Sequence, residues 1–356
     1  MFLDSIQALR GLASISVLLY HTNTYAILIG NNAHTVFRIF SLPFSYGAWL
    51  FFALSGFLMA SLIDRGYRSF LLRRVLRIYP SYLIAGCLTL FAKVLVFGSV
   101  SNPLLLKAIS LLPLGATVYP LGVEWTLIFE ICFYLVCSAF AWTYGRVVFP
   151  YFLCAWATVI VSVRELAPIH YSLVPTMRNV LLEPFDLLFI FGGLLFYLAK
   201  RVGSQPMPTR LAEGGAGLVM LVVACLQTGT FVRCILLGAA FALVMLSTLP
   251  WTATPGNRLQ AVLCQLGDYS YGIYLAQVPV VTIIYAVAIT QYHARLSSLL
   301  AVMAFVSAMI FGILMGKLDM HLHGKSREWA RRWERRHPAS SSTEIPPTPA
   351  TTQGIV

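Results

Sequence analysis

Residues 4–21 read DSIQALRGLASISVLLYH, and the reading of this run decides the fold. It is apolar enough to begin a membrane helix, yet it carries Arg10 near one end and His21 at the other. Ionisable groups are costly in hydrocarbon, and where they occur they face a bundle interior or mark a functional site. Eleven residues at 100° each return to within about 20° of the same helix face, and the rise between them is about 16 Å. Ser14 lies on the stripe between the two, with Val17 or Leu18, so this face is expected to turn inward. Of the seven histidines, only His21 sits inside an apolar run. A neutral imidazole there suits a general base. The competing reading is a buried histidine bonded to a neighbouring hydroxyl or carbonyl.

Composition extends that reading to the whole chain. Hydrophobic residues make up 58% and charged residues 11%, with a mean hydropathy of +0.78. A soluble domain carries about 25% charged residues, so this chain is short of groups to cover a water-facing surface. Apolar runs are expected to span near 6–29, 44–63, 80–98, 125–143, 148–163, 180–199, 214–228, 231–249, 267–289 and 297–316. The fold class is therefore all-α, a polytopic transmembrane bundle of about ten spans. The first run lacks a basic leader and a small-residue cleavage site, so it is expected to be retained as a span.

The net charge of +12 is concentrated in DRGYRSFLLRRVLRIYP, KRVGSQPMPTR and KSREWARRWERRH. That is the pattern of cytoplasmic loops rather than of a nucleic-acid surface, and it places both termini in the cytoplasm. Three parts follow: a membrane domain over 1–318, a basic amphipathic cytoplasmic segment over 319–337 that meets anionic membrane lipids, and a disordered Pro/Ser/Thr tail over 338–356. Residues 99–123, broken by Pro103, Pro113 and Pro120, read as an outer re-entrant or interfacial piece. The seven scattered cysteines form no CxxC pair and read as small buried hydrophobes, with no metal site implied.

Four further stretches could carry chemistry. In LLRRVLRIYP a helix would put Arg73 and Arg77 on one face with Arg74 beside them, able to hold phosphate by bidentate contacts; a merely basic loop is the alternative. In GVEWTLIFEICFYLV, Glu124 sits at the mouth of a helix, while Glu130 shares a face with Thr126 and Tyr134, either orienting a reacting group or pairing with an arginine. Ser55-Gly56, in GAWLFFALSGFLM, favours close helix packing over a ligand site. LGDYSYGIYLAQVPVV brings Asp268, Ser270, Tyr271, Tyr274 and Gln277 to the start of the ninth span, where they line a cavity or sit at the interface.

As an ordered set these pieces resemble the acyltransferase type 3 family, the integral membrane enzymes that modify O-antigen, exopolysaccharide and similar glycans. The resemblance rests on LDSIQALRGLASISVLLYH with its Arg-x10-His spacing, FFALSGFLM, RRVLR, EWTLIFEICFYLV and LGDYSYGIYLAQVPV, in family order across residues 3–316. It implies O-acyl transfer, usually of acetyl from acetyl-CoA, to a glycan or lipid-linked glycan in the bacterial inner membrane, without a metal. His21 matches the family's essential histidine, and Arg10 and Glu130 complete the expected catalytic group. Arg73, Arg74 and Arg77 match the motif for the acyl donor. Trp125, Ser55, Tyr271 and Gln277 are the expected substrate contacts, although many members have histidine where Gln277 stands. The alternative is a transporter or flippase using Arg10, His21 and Glu130 as a relay; the lack of an internal repeat counts against it.

Overall fold

The computed structural model describes residues 3–30, 35–66, 70–98, 105–115, 118–166, 174–203, 205–249 and 257–336. Among them are eleven α-helices and no strand: α1 (Leu3–Ile29), α2 (Tyr46–Asp64), α3 (Phe70–Phe97), α4 (Leu105–Ile109), α5 (Glu124–Tyr144), α6 (Phe149–Leu166), α7 (Phe185–Val202), α8 (Met207–Leu226), α9 (Thr230–Thr248), α10 (Arg258–Thr290) and α11 (Ser298–Arg336). Nine of these are long and apolar enough to cross a membrane. Backbone polar groups in hydrocarbon must be satisfied within the segment, which is why helices carry all of this architecture. The remaining long helix, α7, carries Asp186, Lys200 and Arg201, yet it is packed against α2 and α9 and buries Phe185 to Ile190. With α7 the expected ten spans are all helices.

Three helices differ in length from their expected spans. α3 begins at Phe70 and runs through Pro80, so the arginine-rich stretch belongs to the same helix as the span. α10 begins at Arg258, where the Asn257 side chain accepts a hydrogen bond from the Gln260 amide, so Asp268 lies a third of the way along a helix and not at its start. α11 continues without a break across the 318/319 boundary to Arg336. Residues 338–356 lie outside the described residues.

Small residues let the helices approach each other, since lipid supplies no hydrophobic drive for their association. At the α2–α7 crossing a Cβ on Gly56 would land on the Phe189 carbonyl oxygen, and one on Gly192 on that of Ala53. The expectation of tight packing at Gly56 holds. Beside this crossing runs an aromatic column: Phe189 stacks on Phe133 at 4.5 Å and on Phe52 at 4.6 Å between centroids. A second close set joins α1, α10 and α11.

One end of the bundle is marked by basic connections. Asp64 at the end of α2 pairs with Lys200 of α7 at 2.8 Å, and its carbonyl accepts from Arg146, between α5 and α6, at 3.1 Å. Toward the opposite end, the described part of 99–123 packs on the bundle. Leu111 and Leu121 are fully buried, the Ser110 carbonyl accepts from the Tyr79 hydroxyl at 2.8 Å, and the Pro120 carbonyl accepts from Lys93 Nζ at 2.9 Å. All seven cysteines are free. Cys87 and Cys154 are exposed on their helices, against the expectation of burial, whereas Cys132, Cys137 and Cys234 are buried. A cysteine on an outward helix face packs against lipid as a small apolar group.

Candidate active site

The two close-packed sets of helices leave a cleft of about 100 Å³ between them. α1 contributes Arg10, α2 Ser55, α3 Arg74 and Arg77, α5 Thr126 and Glu130, and α10 Tyr271 and Tyr274. Residues up to 264 positions apart in the chain thus meet in one place. The walls are otherwise apolar, with Phe51, Phe52, Leu54, Leu58 and Leu127. A mostly apolar pocket with a few convergent polar groups is the usual form of a small-molecule site.

Each arginine is held by a different device. Arg77 forms an ion pair with Asp319, which is buried and also accepts from the Ser81 hydroxyl at 2.7 Å. Its guanidinium lies over the Tyr271 ring at 5.4 Å, and the Tyr271 hydroxyl donates to the Ile78 carbonyl at 2.9 Å. Arg74 lies over the Tyr134 ring at 5.2 Å. Arg10 donates to Gln7 Oε1 at 3.2 Å, and Gln7 in turn donates to Asp268 at 2.5 Å. A neutral amide therefore orients Arg10 without cancelling its charge. Arg10 also stands in the field of Arg77, Arg74, Glu130 and Asp319. Three guanidinium groups against two carboxylates leave a net positive cleft, suited to an anion.

Among the described residues Glu130 is the only acid lining the cleft. Its Oε1 accepts from the Ser55 hydroxyl at 2.7 Å and from the Tyr134 hydroxyl. The carboxylate is thereby fixed on the α2–α5 seam with the arginines around it. Glu124, by contrast, begins its helix: its two oxygens accept from the Leu121 and Val123 amides at 2.8 and 3.0 Å. That holds the turn before α5 and leaves Glu124 out of the cleft.

His21 does not line this cleft. The cleft ends at Thr126 and Tyr274, whose hydroxyls lie 2.5 Å apart. On α10 the residue three positions past Tyr274 is Gln277, about 4.5 Å further along the axis, and Gln277 faces His21. The buried Nδ1 of His21 and both amide atoms of Gln277 have no hydrogen-bond partner among the described residues. Buried polar groups are almost always satisfied in native structures; these two side chains are near enough to answer one another, and the capacity they leave over marks a place for a polar guest. Between Arg10 and His21 the stripe of α1 is closed: Ser14 and Leu18 are fully buried, and the Ser14 hydroxyl donates to the Gly11 carbonyl.

Beyond His21 a second space opens toward the end of the bundle remote from the basic connections. This groove, of about 300 Å³, is lined by Tyr25, Lys93, Tyr119, Gly122, Val278 and Thr282 among others. The His21 ring lies 5.9 Å from that of Tyr25, so one side chain, Tyr25, stands between the imidazole and the groove. The Tyr119 hydroxyl is a fourth buried polar atom without a partner among the described residues. Burial pushes its phenol up to about 12, so it stays a neutral donor.

Of the residues singled out in the sequence, Arg10, Ser55, Arg74, Arg77, Glu130 and Tyr271 meet in the cleft. His21 and Gln277 form a separate pair one helical turn beyond it. Trp125 belongs to neither; it packs in the aromatic column against Phe52, Phe129 and Phe185. Arg73 lies on α3, and its side chain falls outside the described residues. Sequence reasoning missed Asp319 and Gln7. Asp319 falls beyond the expected end of its span, and only its lone negative charge in KLDMHLH hinted at a buried partner. Among the described residues no group of three or more His, Cys, Asp or Glu side chains could hold a metal ion.

A helical bundle with a cationic cleft at one side of an intramembrane histidine, and a groove at the other, defines an integral membrane protein built around a buried polar site. A family model described as an acyltransferase domain matches residues 3–317. The chain therefore belongs to the acyltransferase type 3 family. Neither a curated protein nor a solved structure matches it.

Proposed function

We propose that this acyltransferase moves an acyl group, acetyl in the simplest case, from a cytoplasmic acyl-CoA to a hydroxyl of an exopolysaccharide, O-antigen or similar glycan. Its setting is a bacterial inner membrane with the basic end and both termini in the cytoplasm, as the positive-inside rule favours. The observation that carries the reading is the pair of spaces on either side of His21, one cationic and one lined by tyrosines and unpartnered polar atoms. Arg10, Arg74 and Arg77 suit the phosphates of acyl-CoA, with Arg73 beside them on α3. Glu130, fixed by Ser55 and Tyr134, orients the donor or the arginines. The thioester reaches His21 when the Thr126–Tyr274 contact parts.

The acceptor hydroxyl approaches from the opposite groove, with Gln277 as its second hydrogen-bond partner. His21 takes the hydroxyl proton as the oxygen attacks the thioester carbonyl. The C–S bond breaks, CoA leaves as thiolate, and the imidazolium returns the proton to it. An acyl-imidazole route would use the same side chain as a nucleophile; label trapped on the protein without acceptor separates the two.

The test is transfer from labelled acetyl-CoA by purified protein in liposomes. His21→Ala should accumulate and insert normally yet lose transfer. Full transfer by that variant overturns the role of His21. Two spaces divided by a closed layer would also suit a carrier, so glycan uptake without acyl-CoA turnover would favour the transporter reading.

A further inference from the structure

Asp268 of α10 is a half-buried carboxylate that, among the described residues, pairs with no arginine or lysine. Its hydrogen bond is to a neutral amide instead: Gln7 Nε2 of α1 donates to Asp268 Oδ1 at 2.5 Å. Gln7 passes the contact on, because its Oε1 accepts from Arg10 at 3.2 Å, the one hydrogen bond that Arg10 makes among the described residues. A guanidinium carries five N–H donors, so Arg10, which lines the cleft, keeps most of its donors for something else. The order acid, amide, guanidinium allows a single arrangement. A carboxylate only accepts and a guanidinium only donates, so the amide between them must turn its NH2 to Asp268 and its oxygen to Arg10. Without the acid the amide is free to flip, and its NH2 face repels a guanidinium. The backbones fix the register of this relay. A Cβ on Gly267 would land on the Gln7 carbonyl oxygen, and one on Gly11 would meet the Leu263 carbonyl at 2.8 Å.

We propose that Asp268 is a positioning residue for the acyl donor: by locking the Gln7 amide it aims the Arg10 guanidinium at the anionic part of acyl-CoA. This rests on the acyltransferase reading above. Asp268 touches neither donor nor acceptor and takes no part in the transfer itself. The relay answers a specific difficulty. Arg10 stands in the field of Arg74 and Arg77, and like charges push it away from the place where all three converge. A carboxylate bonded directly to Arg10 would hold it there, but would also neutralise it and occupy the N–H pair that a phosphate takes. The amide holds the guanidinium and leaves its charge. Arg77 shows the other solution, a direct ion pair with Asp319, so the two arginines differ in how much charge each offers to a ligand.

The experiment varies labelled acetyl-CoA over the full chain in liposomes, with glycans extracted from the host in fixed excess. Asp268→Asn keeps the shape of the side chain but no longer selects one face of the amide. Its KM for acetyl-CoA should rise about tenfold, the weight of one hydrogen bond to a charged group, while kcat at saturating donor stays near wild type, as for a loss of uniform binding. Gln7→Met, which breaks the relay at its middle, should raise KM by a similar factor. Adding Asp268→Asn to Gln7→Met should then change KM by less than about twofold, because residues acting through one another are not additive. Asp268→Glu should restore most of the donor affinity that Asp268→Asn loses. Gln265→Ala, on an exposed part of α10, should leave both constants unchanged. If Asp268→Asn does not accumulate, Asp268→Ser removes the same carboxylate. A wild-type KM in the Asp268 variants, penalties that multiply in the double variant, or a fall in kcat and accumulation at constant KM overturns the positioning role and leaves the acyltransferase reading standing. No transfer by wild type at any donor concentration overturns both.

Discussion

Asp319 offers the sharpest quantitative test of how the cleft is built. It is 1% exposed and its partner Arg77 18%, and its second oxygen accepts from Ser81 at 2.7 Å. Replacing it with alanine strands a guanidinium and a hydroxyl in a mostly apolar site. Breaking a buried ion pair by removing one partner costs about 3–5 kcal/mol, and the partial exposure of Arg77 places this pair at about 3. The double variant Arg77→Met with Asp319→Leu removes both charges and should regain most of that loss, because apolar packing of similar volume is often neutral relative to a buried pair. On the proposed reading it should not regain donor binding, since the Arg77 guanidinium offered to the phosphates is gone. Denaturant unfolding in mild detergent, followed by helix content, reads the first quantity. The KM for acyl-CoA reads the second. If Asp319→Ala unfolds together with wild type, or the double variant is no more stable than the single one, the pair is not the brace described here.

Two other outcomes follow from the geometry. With His21 as the base, transfer should fall on the acid side as the imidazole takes up a proton, and His21→Gln should show a lower rate, by about 10²- to 10⁴-fold, with that acid limb gone; an unchanged limb in the variant would assign the titration to another group. Gly192→Leu should destabilise the α2–α7 crossing by several kcal/mol, on the order of a severely overpacked core, because its Cβ would meet the Ala53 carbonyl; the measured loss in accumulation and unfolding should exceed that of Gly215→Leu, where nothing stands within 4 Å.

Helical periodicity was enough to read the all-α bundle and to bring Arg10 and His21 onto one face of α1. It also placed Glu130, Thr126 and Tyr134 together, and the structure shows the bond from Tyr134 to Glu130. Ser55-Gly56 divides the two readings weighed for it: Gly56 makes the crossing and Ser55 holds Glu130. Periodicity within a helix carries no information about which helices become neighbours. Arg77 with Asp319 and Gln7 with Asp268 are separated by 242 and 261 positions, so neither pair has a local signal. The placement of His21 outside the cationic cleft was illegible for the same reason. A shared face on α1 says nothing of the Thr126–Tyr274 contact, made by two other helices, that ends the cleft between them. Trp125 shows the converse: its motif suggests a ligand contact, while its neighbours on α2 and α7 enclose it in aromatic packing.

The Thr126–Tyr274 contact also bears on the permeability barrier of the membrane. On the proposed reading the only thing that has to pass it is the thioester tip of the donor, the acyl group with its sulfur. Neither the nucleotide carrier nor the glycan needs to cross. A hydroxyl pair can part by side-chain rotation to admit so small a unit, without the wide rocking of half a bundle that a carrier needs. Ions and water then find no continuous path at any stage. A cell could decorate its outer polymers with thioester energy made inside while losing neither its coenzyme nor its proton gradient.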